Sequence, residues 1–236
     1  MNRTTKIILI ASFSLVTLGL ATYFIVRSRR KGKKIKIQNK NPKQILIVGD
    51  SQSAIKDANG KKITYTYPNL LQKDLEPQGI TIDVLALGGK TTDWMKNNLP
   101  SQLAQKKYDR VIIYGGGNDT SNMSIPLETT LANIQSMVDM AKNNGADVFV
   151  NLGWKIQGDF GNYKIIPLTQ YLNKQEDWIP YIEKRKELQK LLPNKITNAN
   201  FIQPYDLKSL TKDGLHPTAE GHKIVAEIIK QSILND

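Results

Sequence analysis

The chain has 236 residues, enough for one large hydrophobic core or two small ones. It contains no cysteine and two histidines, which excludes disulfides, thiolate metal sites and cysteine nucleophiles and disfavours a multi-histidine metal site. Ten basic residues and no acidic residue lie in residues 1–40; they leave 23 basic against 21 acidic residues, so only +2 of the net charge of +12 belongs to the rest. The basic character therefore belongs to the amino-terminal end. The oligomeric state stays open.

The amino-terminal end carries a long apolar run. After a short flank, residues 1–6, the twenty residues 7–26 have no charge, and as a helix they would span roughly 30 Å, the thickness of a bilayer's hydrocarbon core. A basic tract follows, without the small-residue cleavage site of a signal peptide. The alternative, a buried core helix, fits poorly because the run is apolar on all sides. The pattern predicts one uncleaved transmembrane helix over residues 7–26.

A polar and basic linker is predicted over residues 27–42, and the globular domain is predicted to begin at Lys43 and to fill residues 43–236. Beside a spanning helix, the basic residues 27–40 are expected to contact anionic lipid head groups. The alternative is an arm that binds nucleic acid, which we do not expect.

Within the domain, predicted strands alternate with predicted helices. Short apolar runs predict five strands, at residues 45–48, 81–87, 110–114, 147–152 and 201–204. Helical spacing with proline and glycine boundaries predicts helices at residues 67–75, 94–107 (interrupted at Pro100), 126–143, 180–192 and 218–234. This alternation predicts a three-layer α/β/α sandwich around a parallel sheet with strand order 2-1-3-4-5.

Polar side chains and glycines follow several of these strands. Ser51 comes directly after the first strand, Gly89 after the second and Asn118 after the third. Asp213 stands three residues before His216, a spacing at which a carboxylate can orient an imidazole. Each segment alone could be an ordinary turn, but parallel strands end at one edge of the sheet, where open α/β sheets place their ligands. Their convergence predicts a site at this edge.

Four segments resemble the sequence blocks of the SGNH hydrolases, the GDSL-type esterases and lipases. The segments are GDSQS at 49–53, LGGKTT around Gly89, GGND at 116–119 and DGLH at 213–216, in the family's order. The resemblance implies a flavodoxin-like fold and a serine esterase without metal or cofactor. It makes Ser51 the nucleophile, His216 the base and Asp213 the residue that orients it.

The resemblance also implies an oxyanion hole, formed by the backbone N–H groups of Ser51 and Gly89 and the side chain of Asn118. Two departures from the family pattern stand out. Gln52 replaces the leucine of the GDSL name, at a position outside the chemistry. The second block lacks the usual polar residues before its glycine, which leaves Gly88 as the alternative to Gly89.

The substrate implied is an O-acyl ester, with a short-chain or acetyl group, carried by a carbohydrate or a lipid. The alternative is a catalytically inactive, membrane-tethered binding module of the same fold, for carbohydrate. Aromatic residues in and after the irregular region 154–177 could stack on a sugar, but anchoring that region to the core is the favoured interpretation. They are Trp154, Tyr163, Tyr171, Trp178 and Tyr181. His222, on the last predicted helix, is interpreted as a surface residue.

The side of the membrane follows from the charges that flank the apolar run. Arg3 and Lys6 precede it, whereas eight basic residues lie between Arg27 and Lys40. The flank richer in Lys and Arg tends to stay in the cytoplasm, so we expect a cytoplasmic catalytic domain. The extracellular face is the alternative, favoured by analogy with family members that act on envelope esters.

Overall fold

Five parallel strands form one sheet in a computed structural model of the chain, which describes residues 35–57, 59–154, 178–207, 210 and 215–234. The strands are β1 (Gln44–Gly49), β2 (Thr81–Ala86), β3 (Arg110–Tyr114), β4 (Asp147–Asn151) and β5 (Asn200–Ile202). Their order is β2-β1-β3-β4-β5, so the predicted topology is confirmed. Because β1 pairs with both β2 and β3, its carboxyl end lies among the loops that follow three strands.

Helices cover both faces of the sheet, which confirms the predicted three-layer α/β/α architecture. Within the described residues they are α1 (Tyr67–Leu75), α2 (Thr92–Leu103), α3 (Gly117–Ser121), α4 (Leu127–Asn144), α5 (Trp178–Lys195) and α6 (Ala219–Leu234). Helices α2, α4 and α5 contribute to the core on one face, and α1 and α6 contribute to the core on the other.

Strand β1 is apolar on both sides because it faces two hydrophobic cores. Leu46 and Val48 belong to one core, Ile45 and Ile47 to the other, and all four are fully buried. Burial of a side chain of this size contributes about 1.5–3 kcal/mol. A strand that alternates between two cores therefore needs an unbroken apolar run, which is the pattern that predicted it.

Helix α2 is continuous through Pro100, so the predicted interruption there is wrong. A proline inside a helix removes one backbone hydrogen bond and disfavours the conformation. Met95 and Leu99 on the same helix are fully buried in the core beneath it. The free energy of this burial outweighs the local cost, which the sequence pattern alone does not reveal.

The compact unit begins at Ile35, so residues 35–42 of the predicted linker belong to it. Asp147, at the start of β4, accepts hydrogen bonds from the backbone N–H groups of Gln38 and Asn39 at 2.8 and 3.2 Å. The buried Arg110 donates to the carbonyl oxygen of Asn39 at 2.9 Å. This segment therefore packs along the amino ends of the strands, opposite the edge predicted to carry the site.

The predicted transmembrane helix, residues 7–26, lies outside the described residues. Among the residues that are described, no helix combines the length and apolar character needed to cross a bilayer.

Asp109 binds residues just before and at the start of β1, and it makes the stability of the fold depend on pH. Burial raises the pKa of its carboxyl, but hydrogen bonds from the N–H groups of Lys43 and Gln44 and from Asn39 outweigh burial, and the net pKa is lowered. A carboxyl whose pKa is lower in the folded than in the unfolded protein stabilises the fold at pH values above its unfolded-state pKa. This stabilisation is lost as the pH falls through the folded-state pKa. We predict that Asp109→Ala lowers the free energy of unfolding at pH 7 by about 1–2 kcal/mol, since the group is partly solvated.

The difference between wild type and Asp109→Ala should shrink as the pH falls below about 4, in denaturant titrations at several pH values. Asp93→Ala is the control, because Asp93 is exposed and its contacts are on the surface, an ion pair with Lys96 at 3.0 Å and a hydrogen bond from Asn97 at 3.1 Å. A difference between wild type and Asp109→Ala that grows on acidification would contradict the prediction.

Candidate active site

The turn after β1 holds Ser51 at the carboxyl edge of the sheet. Asp50 forms the turn by accepting from Ser53 N–H through its carbonyl and from Gln52 N–H through its carboxylate, both at 3.0 Å. A Cβ at Gly49 would lie 2.7 Å from Ser53 Cβ and 3.0 Å from the carbonyl of Tyr114, so only glycine fits this approach. The turn leaves the Ser51 side chain partly exposed.

His216 lies beside Ser51, although 165 residues separate them. The distance from Ser51 Oγ to His216 Nε2 is 2.9 Å, within hydrogen-bonding range for a serine and its base. His216 lies three residues before the first residue of α6, and Thr218 N–H, just before that helix, donates to the carbonyl of Leu210 at 3.0 Å. The structure thus brings together the predicted nucleophile and base, whereas Asp213 lies outside the described residues and its role stays a prediction.

Asp50 and Arg185 are buried charged groups near this pair. Burial raises the pKa of the Asp50 carboxyl by more than the Gln52 N–H and the charges of Arg185 and His216 lower it, so the net pKa is raised. The Arg185 guanidinium lies 4.8 Å from the ring centroid of Trp154, and its Nη1 donates to Tyr181 Oη at 3.0 Å. Nothing in the sequence distinguishes Arg185 from the other basic residues of α5, so no role was predicted for it.

Trp154 and Tyr181 are themselves buried, at 8% and 7% exposure. Both contact Arg185. Residues 155–177, which these aromatic residues are expected to anchor to the core, lie outside the described residues. Tyr163, Tyr171 and the side chain of Trp178 lie outside the described residues.

The segment after β3 divides its roles between neighbouring residues. Asn118 is half-buried on α3 and donates from Nδ2 to the carbonyl of Lys90 at 2.9 Å, which orients its amide and links the loops after β3 and β2. Asp119 is buried and accepts from the backbone N–H of Thr92 at 3.0 Å and from the Thr92 hydroxyl. Asp119 therefore stabilises the start of α2, a role that the motif alone did not predict.

Gly88 and Gly89 both follow β2, but they face different surroundings. A Cβ at Gly88 would lie 3.8 Å from Ser51 Cβ, whereas a Cβ at Gly89 would meet no atom within 4 Å. Gly89 has φ of +74°, a conformation that favours glycine. Gly88 is thus the glycine packed beside Ser51, and the positive φ of Gly89 explains why a second glycine follows it.

His222 is buried, so its interpretation as a surface residue is wrong. Its Nδ1 accepts the backbone N–H of Tyr67 at 3.2 Å, and Tyr67 Oη lies 2.6 Å from the buried Ser53 Oγ. Burial raises the pKa of the Tyr67 phenol. His222 faces α1 because α1 and α6 pack together on one side of the sheet, a contact that the sequence of α6 does not show.

A serine hydroxyl in contact with an imidazole, beside glycine-rich turns and a side-chain amide, is an arrangement suited to nucleophilic attack on an acyl carbon. Within the described ranges, no group of three or more histidine, aspartate or glutamate side chains could hold a metal ion.

Comparison with known proteins agrees with this chemistry. The sequence model of the GDSL-like lipase/acylhydrolase family matches residues 47–224. A search of the curated proteins found no significant match.

Several solved structures share the fold. TesA is 24% identical with a TM-score of 0.57, over 81% of this chain and 98% of TesA. The esterase EstA from Pseudoalteromonas sp. is 18% identical with a TM-score of 0.56, over 82% and 99%. A catalytic mutant of Axe2, an acetylxylan esterase from Geobacillus stearothermophilus, is 18% identical with a TM-score of 0.57, over 85% and 96%. At these identities the likeness shows the fold.

Asn118 and Asp119 provide a matched pair for testing the oxyanion assignment. We predict that Asn118→Ala lowers kcat about 10²–10³-fold with little change in KM, because an oxyanion donor acts mainly in the transition state. Asp119→Ala should instead lower the melting temperature, since it removes the acceptor at the start of α2. Steady-state kinetics with p-nitrophenyl acetate and thermal unfolding measure both effects; a change in KM alone would make Asn118 a substrate-binding residue.

Proposed function

Because the chain belongs to the GDSL-like lipase/acylhydrolase family and is thus a carboxylic ester hydrolase, we propose that it is a serine esterase with Ser51 as nucleophile and His216 as base. The observation that carries this proposal is the 2.9 Å contact between Ser51 Oγ and His216 Nε2. A serine hydroxyl is a weak nucleophile until a neighbouring base accepts its proton.

In the proposed first step, Ser51 Oγ attacks the ester carbonyl carbon while its proton passes to His216 Nε2. The bond from the acyl carbon to the alkoxy oxygen then breaks, and the leaving alcohol takes the proton from His216. A water molecule activated by the same imidazole releases the acid and restores Ser51. Asp213, by resemblance to the family, orients the ring.

The charge that develops during attack is met by two kinds of group. His216 becomes an imidazolium, whose charge we assign to Asp213 by resemblance to the family. The carbonyl oxygen becomes an oxyanion, which we assign to the backbone N–H of Ser51, the Asn118 amide and a glycine after β2. The packing of Gly88 against Ser51 favours Gly88 over Gly89 for that last donor.

We predict that a fluorophosphonate probe labels Ser51 in the wild type. His216→Asn should abolish labelling, because it removes the base. His222→Asn should retain it, because asparagine can keep the acceptor that bonds Tyr67 N–H. Mass spectrometry of the labelled peptides identifies the site.

Labelling that survives Ser51→Ala would contradict the assignment of the nucleophile. A folded wild type that neither reacts with the probe nor hydrolyses p-nitrophenyl acetate would favour the alternative, an inactive carbohydrate-binding module.

We further propose that the substrate is a short-chain acyl ester, with an O-acetyl group on a carbohydrate as the first candidate. Support comes from neighbours of similar fold that are acetylxylan esterases, although the shared fold does not by itself carry a substrate.

For acyl length, we predict that kcat/KM for p-nitrophenyl esters is highest for acetate and at least about tenfold lower for octanoate. A tenfold difference corresponds to about 1.4 kcal/mol of transition-state binding free energy. The purified domain should also release acetate from acetylated sugars or peptidoglycan fragments, in a parallel assay with Ser51→Ala as control. Rising activity from acetate to laurate would instead indicate a lipid ester.

For location, we propose that residues 7–26 form a membrane anchor and that the catalytic domain lies in the cytoplasm. The support is the uncharged run and the eight basic residues that follow it. We predict that protease added to spheroplasts leaves the carboxyl-terminal domain intact while proteins exposed outside the cytoplasm are digested. Digestion of the domain with cytoplasmic markers intact would place it on the extracellular face.

A further inference from the structure

Gln52 links the turn of the nucleophile to the segment that carries the base. Its side chain is buried at 5% exposure, and its Nε2 donates to the carbonyl oxygen of Leu215 at 3.0 Å. Leu215 directly precedes His216. Two neighbouring residues, Ser51 and Gln52, therefore contact two other neighbouring residues, Leu215 and His216, from a distant part of the chain.

The two contacts differ in what they constrain. The Ser51 contact involves the imidazole ring, which exchanges a proton in the proposed reaction. The Gln52 contact involves the backbone carbonyl before His216, so it constrains the peptide from which the ring projects. The backbone of Gln52 is itself held by its N–H bond to Asp50 Oδ1 at 3.0 Å. The amide thus acts from a fixed position.

The side-chain amide of Gln52 is buried with only part of its hydrogen-bonding capacity satisfied. Gln52 Oε1 is buried without a hydrogen-bond partner among the described residues. A buried acceptor in this state is unfavourable, and an apolar side chain of similar size would remove that cost. The family's usual leucine would therefore fit this position, but it would leave the Leu215 carbonyl without this donor.

We propose that Gln52 is a positioning residue that holds His216 in reach of Ser51 through the Leu215 carbonyl. The proposal rests on the proposed esterase mechanism and assigns a role to a position that the sequence placed outside the chemistry. Gln52 itself touches neither the substrate nor the reacting atoms.

The decisive variant is Gln52→Met, which keeps the length of the side chain and removes the N–H donor. We expect kcat for p-nitrophenyl acetate to fall about tenfold or more, with KM within about twofold, because displacement of a catalytic group acts on the chemical step. The melting temperature should be unchanged or higher, because the unsatisfied acceptor is gone. Gln52→Leu should behave in the same way.

Gln72→Leu is the matched control, since Gln72 Oε1 accepts from Ile82 N–H at 2.7 Å near the amino ends of the strands. It should lower the melting temperature and leave kcat unchanged. Unchanged kcat in Gln52→Met, or a loss explained by partial unfolding, would overturn the proposal. Full activity in Gln52→Met with loss in Gln52→Leu would show that side-chain shape matters and not the hydrogen bond.

Hydrogen exchange separates this proposal from the proposed function. In Gln52→Met, the backbone amides of Leu215, His216 and Thr218 should exchange about tenfold faster than in wild type, whether or not the protein hydrolyses esters. Gln72→Leu should leave exchange in this segment unchanged. Faster exchange without esterase activity in wild type would overturn the esterase function and not the link; unchanged exchange in Gln52→Met would overturn the link.

Discussion

The contact between Ser51 and His216 depends on two rigid elements that meet at one edge of the sheet. Ser51 follows β1, which is fixed on both sides by β2 and β3. His216 precedes α6, which packs on α1 through the core below β1. A hydrogen bond of 2.9 Å between side chains 165 residues apart requires that both of these elements are held in fixed positions. The hydrophobic cores therefore serve the site indirectly, by fixing the elements from which these side chains project.

In the loops around the site, one residue contacts another part of the site while its neighbour stabilises the fold. In the turn after β1, Ser51 contacts His216, while Asp50 closes the turn and Ser53 contacts Tyr67 of α1. After β3, Asn118 contacts the loop after β2, while Asp119 is buried against the start of α2. Such division is possible because successive residues of a tight turn point in different directions. One face of the turn therefore carries Ser51, and the other faces the protein.

Buried charge is concentrated near the same edge. Asp50 and Arg185 are both buried, and Arg185 is held by the ring of Trp154 and the hydroxyl of Tyr181. Charges removed from water interact strongly with one another, so their placement affects any charge that forms nearby. The charges of Arg185 and His216 both act on the buried Asp50 carboxyl and lower its pKa against the effect of burial, which makes this cluster part of the electrostatic setting of the site.

The sequence by itself determined the sheet and its order, because an apolar run buried on both faces and glycine-bounded helical spacing are local patterns. Motifs that resemble those of the family also singled out Ser51 and His216, whose side chains lie 2.9 Å apart in the structure. Only the tertiary structure showed that α2 continues through Pro100, that His222 is buried, that residues 35–42 pack on the domain, and that Arg185 and Gln52 reach the site. These features depend on contacts between residues far apart in the chain. Burial and hydrogen-bond partners are set by such contacts, and no local pattern encodes them.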